Sequence, residues 1–280
     1  NTERLWVCKP MKNYRSPLSA PRGLTALAAA CVLFISLPLL AIVIRVPWSQ
    51  FFSTIFEASA REALWLSLRT SLITTVLAIV TGLPLAWMFT HRTFPLKNIL
   101  RTICVLPMVL PPVVGGVALI YAFGRRGLIG STLDDWFGYR IAFTQSATVL
   151  AQFFVAAPFF IVVMESAFSQ VDASTTWAAR TLGAGPWRTL LKVNIPILWP
   201  SLIAGIVLTW ARALGEFGAT ITFAGNSPGS TQTLPLAIYS SLESGKDAAV
   251  SLSFLMMAIS FIVLISLRQR WMTAFQRGAA

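Results

Sequence analysis

The stretch Leu24–Ile44, LTALAAACVLFISLPLLAIVI, is an apolar run of 21 residues that contains no charged side chain. A helix needs roughly 20 apolar residues to cross the hydrocarbon core of a bilayer, so this run has the length of one membrane span. Its apolar residues are continuous rather than alternating, which disfavours a strand of a membrane barrel. A basic segment precedes the run, as in a signal peptide, but no small-residue cleavage site follows it. We therefore interpret it as a retained membrane helix.

The rest of the chain repeats this pattern. Hydrophobic residues make up 56% of the 280 residues and charged residues only 11%, which is far too apolar for a soluble domain. The sequence therefore predicts an all-α, polytopic membrane protein with six transmembrane helices and no water-soluble domain between them. The predicted spans are Leu24–Ile44, Ser71–Phe89, Ile103–Phe123, Ala147–Met164, Ile197–Phe223 and Ala248–Leu267.

The distribution of basic residues predicts the orientation of these spans. If both termini are cytoplasmic, the inner segments carry 14 of the 22 lysines and arginines, the outer segments carry 7, and Arg212 lies within a span. Cytoplasmic loops of membrane proteins are enriched in basic residues, so we expect the N- and C-termini on the cytoplasmic side of the cell (plasma) membrane. The net charge of +12 has the same explanation, and we expect no nucleic-acid partner.

A polar, basic segment between the fourth and fifth spans has the pattern of a helical hairpin. It contains Trp177–Gly183, WAARTLG, and Val193–Pro196, VNIP. Gly183 suits the left-handed conformation that ends a helix, and Pro186 suits the first turn of the next helix. Small side chains let a partner protein approach the backbone, and basic side chains offer it charge. The segment is therefore predicted to dock onto another protein. Its basic residues are Arg180, Arg188 and Lys192.

The third predicted span contains a dense group of helix-breaking residues, in the sequence LPMVLPPVVGG of Leu106–Gly116. Proline removes a backbone donor, so this helix must bend or open. Interrupted backbone is tolerated at membrane depth where protein or a water-filled cavity satisfies the freed carbonyls, which makes the span a candidate wall of a translocation pathway. A packing kink is the alternative. The candidate residues are Pro107, Pro111, Pro112, Gly115 and Gly116.

The fifth predicted span contains two opposite charges, Arg212 and Glu216, in the sequence RALGEFGAT. A charge at the centre of a membrane helix costs roughly 2.5–3.5 kcal/mol on insertion scales, so both are expected to face protein, a cavity or the interface. Their spacing lets them pair on one helix face. They either gate the pathway or pair for structural reasons. Gly215 and Gly218 allow a close approach by another helix, such as one from a second copy of the chain.

No catalytic or metal site is recognisable. Cys8, Cys31 and Cys104 lack the paired spacing of a disulfide framework or a metal site. The segment Ser244–Asp247, SGKD, lacks the magnesium-binding hydroxyl of a nucleotide-binding loop, and the first glycine of such a loop is missing upstream of it. We therefore expect no catalytic residue, metal or cofactor in this chain. If ATP powers transport, its hydrolysis takes place on a separate chain.

The hairpin resembles the signature of the membrane subunits of ATP-binding-cassette importers. That signature begins Glu-Ala-Ala, places Gly four positions after its second Ala, and ends with Leu-Pro. Trp177 replaces the acidic residue and Ile195 replaces the leucine, which affects any contact made by that carboxylate but not the helix itself. More narrowly, the sequences ARTLGA, LGEFGAT and LPPVVGG are similar to those of the molybdate-type permeases. The matching signature positions are Ala178, Ala179, Gly183, Ile195 and Pro196.

The resemblance implies a type I importer permease fold over residues 24–280, after a cytoplasmic segment of residues 1–23, with a cytoplasmic coupling segment at residues 172–196. It implies four kinds of partner: a second copy of the chain, two ATPase subunits that use ATP and Mg, an extracytoplasmic oxyanion-binding protein, and membrane lipid. The implied cargo is molybdate or tungstate, with sulfate or thiosulfate as the alternative. An ion-coupled secondary transporter is the alternative from a different class. The implied ATPase-coupling residues are Trp177, Ala178, Ala179, Arg180, Gly183, Ile195 and Pro196.

Overall fold

A computed structural model describes residues 22–244 and 246–277, and it describes side chains for 23–244 and 247–265. Within these ranges the regular elements are all helices. The expected N-terminal segment, residues 1–23, lies outside them except for its last two residues, which begin the first helix. Cys8 and Gly245 also lie outside the described residues.

The first helix, α1 (Arg22–Arg45), belongs to a separate unit of the chain, residues 1–45. Its apolar side chains lie on every side of the helix. The large ones are exposed within the structure, and Phe34, for example, is 82% exposed. Pro38 lies inside it without ending it. A helix of this length that is apolar all round is typical of a membrane span, which confirms the first predicted run.

The second unit, residues 46–280, contains the other helices. They are α2 (Trp48–Phe56), α3 (Ala58–His91), α4 (Lys97–Val105), α5 (Pro112–Phe123), α6 (Gly130–Phe137), α7 (Gln145–Ser169), α8 (Ala173–Thr181), α9 (Pro186–Thr189), α10 (Ile195–Ile197), α11 (Trp199–Leu214), α12 (Gly218–Phe223), α13 (Leu234–Ser244) and α14 (Lys246–Arg277).

Four helices of the described chain are long and apolar enough to cross a membrane: α1, α3, α7 and the Asp247–Ile265 part of α14. Helix α3 starts at Ala58, well before the predicted Ser71. Arg61, Glu62 and Arg69 lower the hydropathy of its first turns, so hydropathy placed the start too late, but these residues do not interrupt the helix. The predicted third and fifth spans are not continuous helices. The third is a pair of helices, Lys97–Met108 and Pro112–Phe123, bent by 117°. The fifth is broken between α11 and α12, and α11 is itself bent by 81° from the preceding Pro186–Ile197. The described chain reaches six spans only if each of the two bent pairs, Lys97–Phe123 and Pro186–Leu214, counts as one.

The third span breaks where its prolines predict a break. Leu106–Met108 forms a 3₁₀ turn after α4, and Pro111 precedes Pro112, the first residue of α5. Pro111 and Pro112 remove two consecutive backbone donors, and Pro112 disfavours the helical conformation of the residue before it. Pro111 has an extended ψ of 131°, so the helix that begins at Lys97 does not continue through the pair. The result is a sharp change of direction between α4 and α5.

Helix α7 forms the centre of the second unit, and its two ends contact different partners. Its C-terminal half packs against α3 and α11 through Ala86, Phe160, Phe168 and Leu202. We call this the inner end, since the predicted orientation places it at the cytoplasm. Its N-terminal half packs against α5 and α12, where Leu119 and Phe223 are buried, among other residues.

The broken spans extend along α7 from one end to the other. Arg101 of α4 pairs with Glu165 near the inner end of α7, whereas α5 packs at the opposite end. Likewise Leu202, near the start of α11, packs at the inner end, and Phe223 of α12 packs at the outer end. The two broken spans, α4 with α5 and α11 with α12, therefore each run from one end of α7 to the other.

Candidate coupling hairpin and translocation pathway

The segment 172–196 folds into the predicted hairpin, and Asp172 caps the start of its first helix, α8. The Asp172 carboxylate accepts a hydrogen bond of 2.9 Å from the backbone N–H of Ser174. This hydrogen bond stabilises the ionised form and lowers the pKa of the Asp172 carboxyl below its ordinary value. Asp172 thus satisfies a backbone donor that has no partner within the helix.

Gly183 ends α8 in the left-handed conformation that the sequence predicts, with φ of +83°. The Gly183 N–H donates to the Arg180 carbonyl at 3.0 Å, and the Ala184 N–H donates to the Ala179 carbonyl at 3.0 Å. This pair of bonds is the Schellman arrangement, in which glycine avoids the clash that a Cβ makes with its own backbone. No atom lies within 4 Å of a Cβ added at Gly183, so the requirement for glycine is conformational.

The hairpin exposes large apolar side chains around this turn. Trp177 is 63% exposed, Leu182 88% and Trp187 72%. Ala178 is exposed between them and Ala179 is half-buried. Exposed apolar side chains grouped around small residues are typical of a protein-docking surface, in which tryptophan often contributes much of the binding energy.

Ile195 and Pro196 lie where the hairpin returns to the membrane domain. Leu190–Asn194 forms a π-helical turn, in which the Ile195 N–H donates to the Leu190 carbonyl. Ile195 packs against the inner core cluster around Leu198, whereas Pro196 is exposed. Ile195 therefore anchors the hairpin to the spans, while the exposed docking surface belongs to α8 and its turn.

The glycines of the two broken spans bring α5 and α12 together. A Cβ added at Gly116 would lie 2.6 Å from the Thr222 Cβ, and one at Gly218 would lie 2.7 Å from the Pro112 Cβ. Gly115 faces the Phe154 ring of α7 in a similar way, at 3.0 Å. These glycines are buried in helix contacts, so they hold the two broken spans side by side.

Other predicted pathway residues take different positions. Pro107 is buried in the 3₁₀ turn, and Gly215 follows the last residue of α11. Val113 and Val117, one turn apart on α5, are 55% and 41% exposed. The accessible side of α5 is therefore its valine face rather than its glycine face.

Arg212 and Glu216 form the expected ion pair, with 2.6 Å between the Arg212 Nη1 and the Glu216 Oε2. They do not share a helix face, because α11 ends at Leu214 and Glu216 lies in the break before α12. The other Glu216 oxygen accepts a hydrogen bond of 2.8 Å from the Ala219 N–H. The Glu216 side chain is only 1% exposed and that of Arg212 27%. Glu216 thus joins the end of α11 to the start of α12.

A second ion pair was not predicted from the sequence. The Arg101 Nε lies 3.1 Å from the Glu165 Oε2, and the Glu165 side chain is 10% exposed. The pair lines a cavity of about 560 Å³ at the inner ends of α4 and α7. An acidic residue directly after the apolar run that ends at Met164 was the available signal, because such a residue needs a basic partner.

Metal-binding and disulfide chemistry have no support in the described part of the chain. It contains no group of three histidine, cysteine, aspartate or glutamate side chains able to hold a metal ion. Cys31 and Cys104 are free thiols.

Comparisons with known proteins agree with this architecture. The family described as "Binding-protein-dependent transport system inner membrane component" matches residues 76–280. The chain is 44% identical over 254 residues to the molybdenum transport system permease protein ModB of Mycobacterium tuberculosis, covering 91% of this chain and 96% of the relative. It is 40% identical to the protein of the same name from Escherichia coli, covering 78% of this chain and 96% of the relative.

Two further similarities are broader. A probable sulfate transport system permease protein of Marchantia polymorpha is 32% identical, covering 82% of this chain and 81% of the relative. Among solved structures, a chain of a bacterial alginate ABC transporter, crystallised with its alginate-bound periplasmic protein, matches with a TM-score of 0.71 at 14% identity. That match covers 88% of this chain and 91% of the other. At that identity the match shows a shared fold.

Proposed function

The chain belongs to the family of binding-protein-dependent transport system inner membrane components, and we propose that it is the membrane-spanning permease subunit of an ATP-binding-cassette importer for molybdate or tungstate. The assignment of molybdate or tungstate as the cargo rests on the 44% identity to a molybdenum transport permease across 91% of the chain. The fold agrees with that of an importer permease. The protein is thus a transport subunit rather than an enzyme.

The hairpin is the element that couples transport to ATP hydrolysis. Its exposed apolar residues fit a groove on a separate ATPase chain, where ATP and Mg bind. Because Ile195 packs among core residues of α3, α7 and α11, a displacement of α8 is transmitted to those helices. An external motor can therefore act on the spans through this hairpin.

The remaining partners follow from the same assignment. Two permease copies enclose the pathway, two ATPases lie beneath them on the cytoplasmic side, and an extracytoplasmic oxyanion-binding protein delivers the cargo. The N- and C-termini are cytoplasmic. ATP shifts the permease between inward-open and outward-open states only if it favours one state over the other, and the loaded binding protein must do the same.

Sulfate or thiosulfate is the second candidate cargo, because a sulfate permease is 32% identical over 82% of the chain. That identity is lower than the 44% found with the molybdenum permease. In this family of transporters cargo selection rests largely with the binding protein, so the cargo test needs the cognate binding protein.

The test is uptake by proteoliposomes that contain the permease, its ATPase and its binding protein. We expect ATP-dependent accumulation of radiolabelled molybdate that persists when ionophores collapse ion gradients and that excess unlabelled sulfate does not suppress. Suppression by sulfate would favour the sulfate assignment. Uptake that stops with the ion gradient and continues without ATP would identify a secondary transporter instead.

A further inference from the structure

A cleft of about 230 Å³ lies between the inner end of α3 and the hairpin. Two of its lining residues, Arg92 and Arg180, form no ion pair with a described carboxylate. No aspartate or glutamate lines the cleft. Its lining therefore has a net positive charge without an internal counter-charge. Its polar residues are His91, Arg92, Thr176, Arg180, Thr189 and Asn194.

Asn194 provides an independent sign that the cleft receives a ligand. It is 1% exposed, lines the cleft, and its side-chain Oδ1 has no hydrogen-bond partner. Buried amides are nearly always hydrogen-bonded, and an unpartnered one calls for a missing ligand or water. Because the Oδ1 is an acceptor, an anion binds there with the amide turned by 180°, so that the Nδ2 donates to it. Asn194 is the last residue of the π-helical turn, a form of helix that occurs frequently at functional sites.

The cationic side of the cleft is held in place by aromatic contacts. The Arg92 guanidinium lies 5.9 Å from the centre of the Trp87 ring. The His91 ring stacks on Trp87 at 5.2 Å, and its Nδ1 lies 3.1 Å from the Trp87 carbonyl oxygen. Lys97 adds a positive charge nearby, because its Nζ donates to the Arg92 carbonyl at 3.0 Å.

The chemistry of this lining matches a small tetrahedral oxyanion. Guanidinium groups bind such anions through paired, charge-assisted hydrogen bonds, and hydroxyl and amide groups satisfy the remaining oxygens. The donors come from three elements, α3, α8 and the π-helical turn, so they surround a ligand rather than meet it on one side. We propose that this cleft binds a small tetrahedral oxyanion, bridging Arg92 at the end of α3 and Arg180 of the hairpin.

Two sources supply this chemistry at the cytoplasmic face: inorganic phosphate, and the oxyanion that has just been transported. The second source depends on the proposed function, whereas the site itself does not. In either case the bound anion links the end of a span to the coupling hairpin. The concentration of a cytoplasmic oxyanion therefore determines how often this link is present in the hairpin through which the ATPase acts.

The experiment is calorimetric titration of the purified permease–ATPase complex, without nucleotide, with molybdate, sulfate and inorganic phosphate in separate runs. We expect saturable binding of at least one of these anions. Arg92→Gln, Arg180→Gln and Asn194→Leu each weaken that binding by about tenfold or more, because each removes a buried or charge-assisted donor. Tightest binding of phosphate identifies the cytosolic source, and tightest binding of molybdate identifies returning cargo; both support the site.

Arg188→Gln is the matched control, since it removes the same charge from the same hairpin at an exposed residue outside the cleft. We expect it to leave the affinity within about twofold of wild type, as for a distant surface charge. Arg212→Gln tests whether the anion binds in the pathway instead. Because Arg180 belongs to the docking helix, Arg92→Gln is the decisive variant if Arg180→Gln releases the ATPase. Asn194→Asp replaces Asn194→Leu if the latter fails to assemble.

The proposal would be overturned by no binding of any of the three anions to the wild-type complex, by equal affinities of Arg92→Gln and Arg188→Gln, or by a loss confined to Arg212→Gln. Binding by the isolated permease that disappears in the complex would overturn it too, because an ATPase side chain would then occupy the cleft. Molybdate uptake measured in parallel tests the proposed function separately, since a permease that transports without binding in the cleft contradicts only the cleft.

Discussion

At the scale of single residues, the chain depends on a few positions where the backbone leaves a helix. Gly183 ends α8 with φ of +83°, and Glu216 spans the break between α11 and α12. In both places one residue forms a hydrogen bond with a backbone group that has no partner within the adjacent helix. Substituting Gly183 or Glu216 therefore tests the conformational requirements of the chain separately from its docking or transport requirements.

Substitutions at Gly183 are expected to follow the cost of the left-handed conformation, not side-chain size, because the surrounding space is open. Gly183→Asn should retain most of the uptake. Gly183→Ala should lose about 1 kcal/mol of hairpin stability, and Gly183→Val should lose more because it is β-branched. Uptake and permease-stimulated ATPase activity, normalised to inserted permease, measure the order. Wild-type activity in Gly183→Val would show that the turn does not need this conformation.

Arg212→Ala is expected to destabilise the permease by about 3 kcal/mol, because it leaves the buried Glu216 carboxylate without its partner. Adding Glu216→Gln should restore much of that stability, since a neutral amide can still accept from the Ala219 N–H. Thermal unfolding of the detergent-purified variants tests this. A double variant no more stable than Arg212→Ala would contradict it.

The same double variant separates the two roles of the ion pair. If stability and uptake return together, the pair is structural. If stability returns and uptake does not, the charges act in the pathway.

At the scale of elements, the hairpin presents an apolar surface that does not contribute to the core. Trp177→Ala should therefore leave the unfolding temperature unchanged while weakening ATPase association by about 2 kcal/mol, as for a central interface tryptophan. Co-purification with the ATPase at graded concentrations measures this. Trp136→Ala is the control, because Trp136 is 78% exposed on α6, outside the hairpin. Equal association of both variants with the ATPase would show that Trp177 is not part of the docking surface.

The broken third span makes a prediction about accessibility. In a permease whose native cysteines are replaced by serine, Val113→Cys should react with a water-soluble maleimide at a rate that changes between nucleotide-free and ATP-bound transporter. Val113 lies on the exposed face of α5. Leu119→Cys, at a residue 5% exposed, should stay protected in both states. Rates at Val113→Cys that do not depend on nucleotide would favour a packing kink. Gly116 is unsuited to the probe, because Thr222 occupies the space of its side chain.

At the scale of the whole molecule, the described part of the chain supplies one docking hairpin, so a pair of ATPases requires two permease copies. Closed two-fold symmetry places equivalent hairpins on the two ATPases. Native mass spectrometry of the purified complex should therefore give two permeases with two ATPases. A complex with one permease per two ATPases would contradict the proposed assembly.

Hydropathy alone predicted most of the membrane helices, because a bilayer sets both the length and the polarity of a span. The break at Pro111 was predictable because two consecutive prolines remove two backbone donors and the second keeps the first out of the helical conformation. The break after Gly215 was not, because glycine interrupts a membrane helix only where other contacts compensate. Here the Glu216 side chain compensates by accepting from α12.

Contacts between distant segments were less accessible to sequence reasoning. The approach of Gly116 to Thr222 and the pair of Arg101 with Glu165 join residues from different spans. Hydropathy contains no information on which spans are neighbours. The cleft beside Asn194 was missed because its cations are scattered along the chain and converge only after folding.

The π-helical turn at Leu190–Asn194 is equivalent to one extra residue within an otherwise regular helix. Deleting a single residue from it, such as the exposed Leu191, would convert the turn to α-helix and leave the flanking segments in their present register, because the π-helical turn already absorbs one extra residue. The same deletion in a regular α-helix rotates everything before it by about 100°, the angle per residue. We therefore expect a one-residue deletion in Leu190–Asn194 to leave Trp177 pointing in its present direction, whereas a deletion in the α-helical residues on either side would redirect the proposed docking surface.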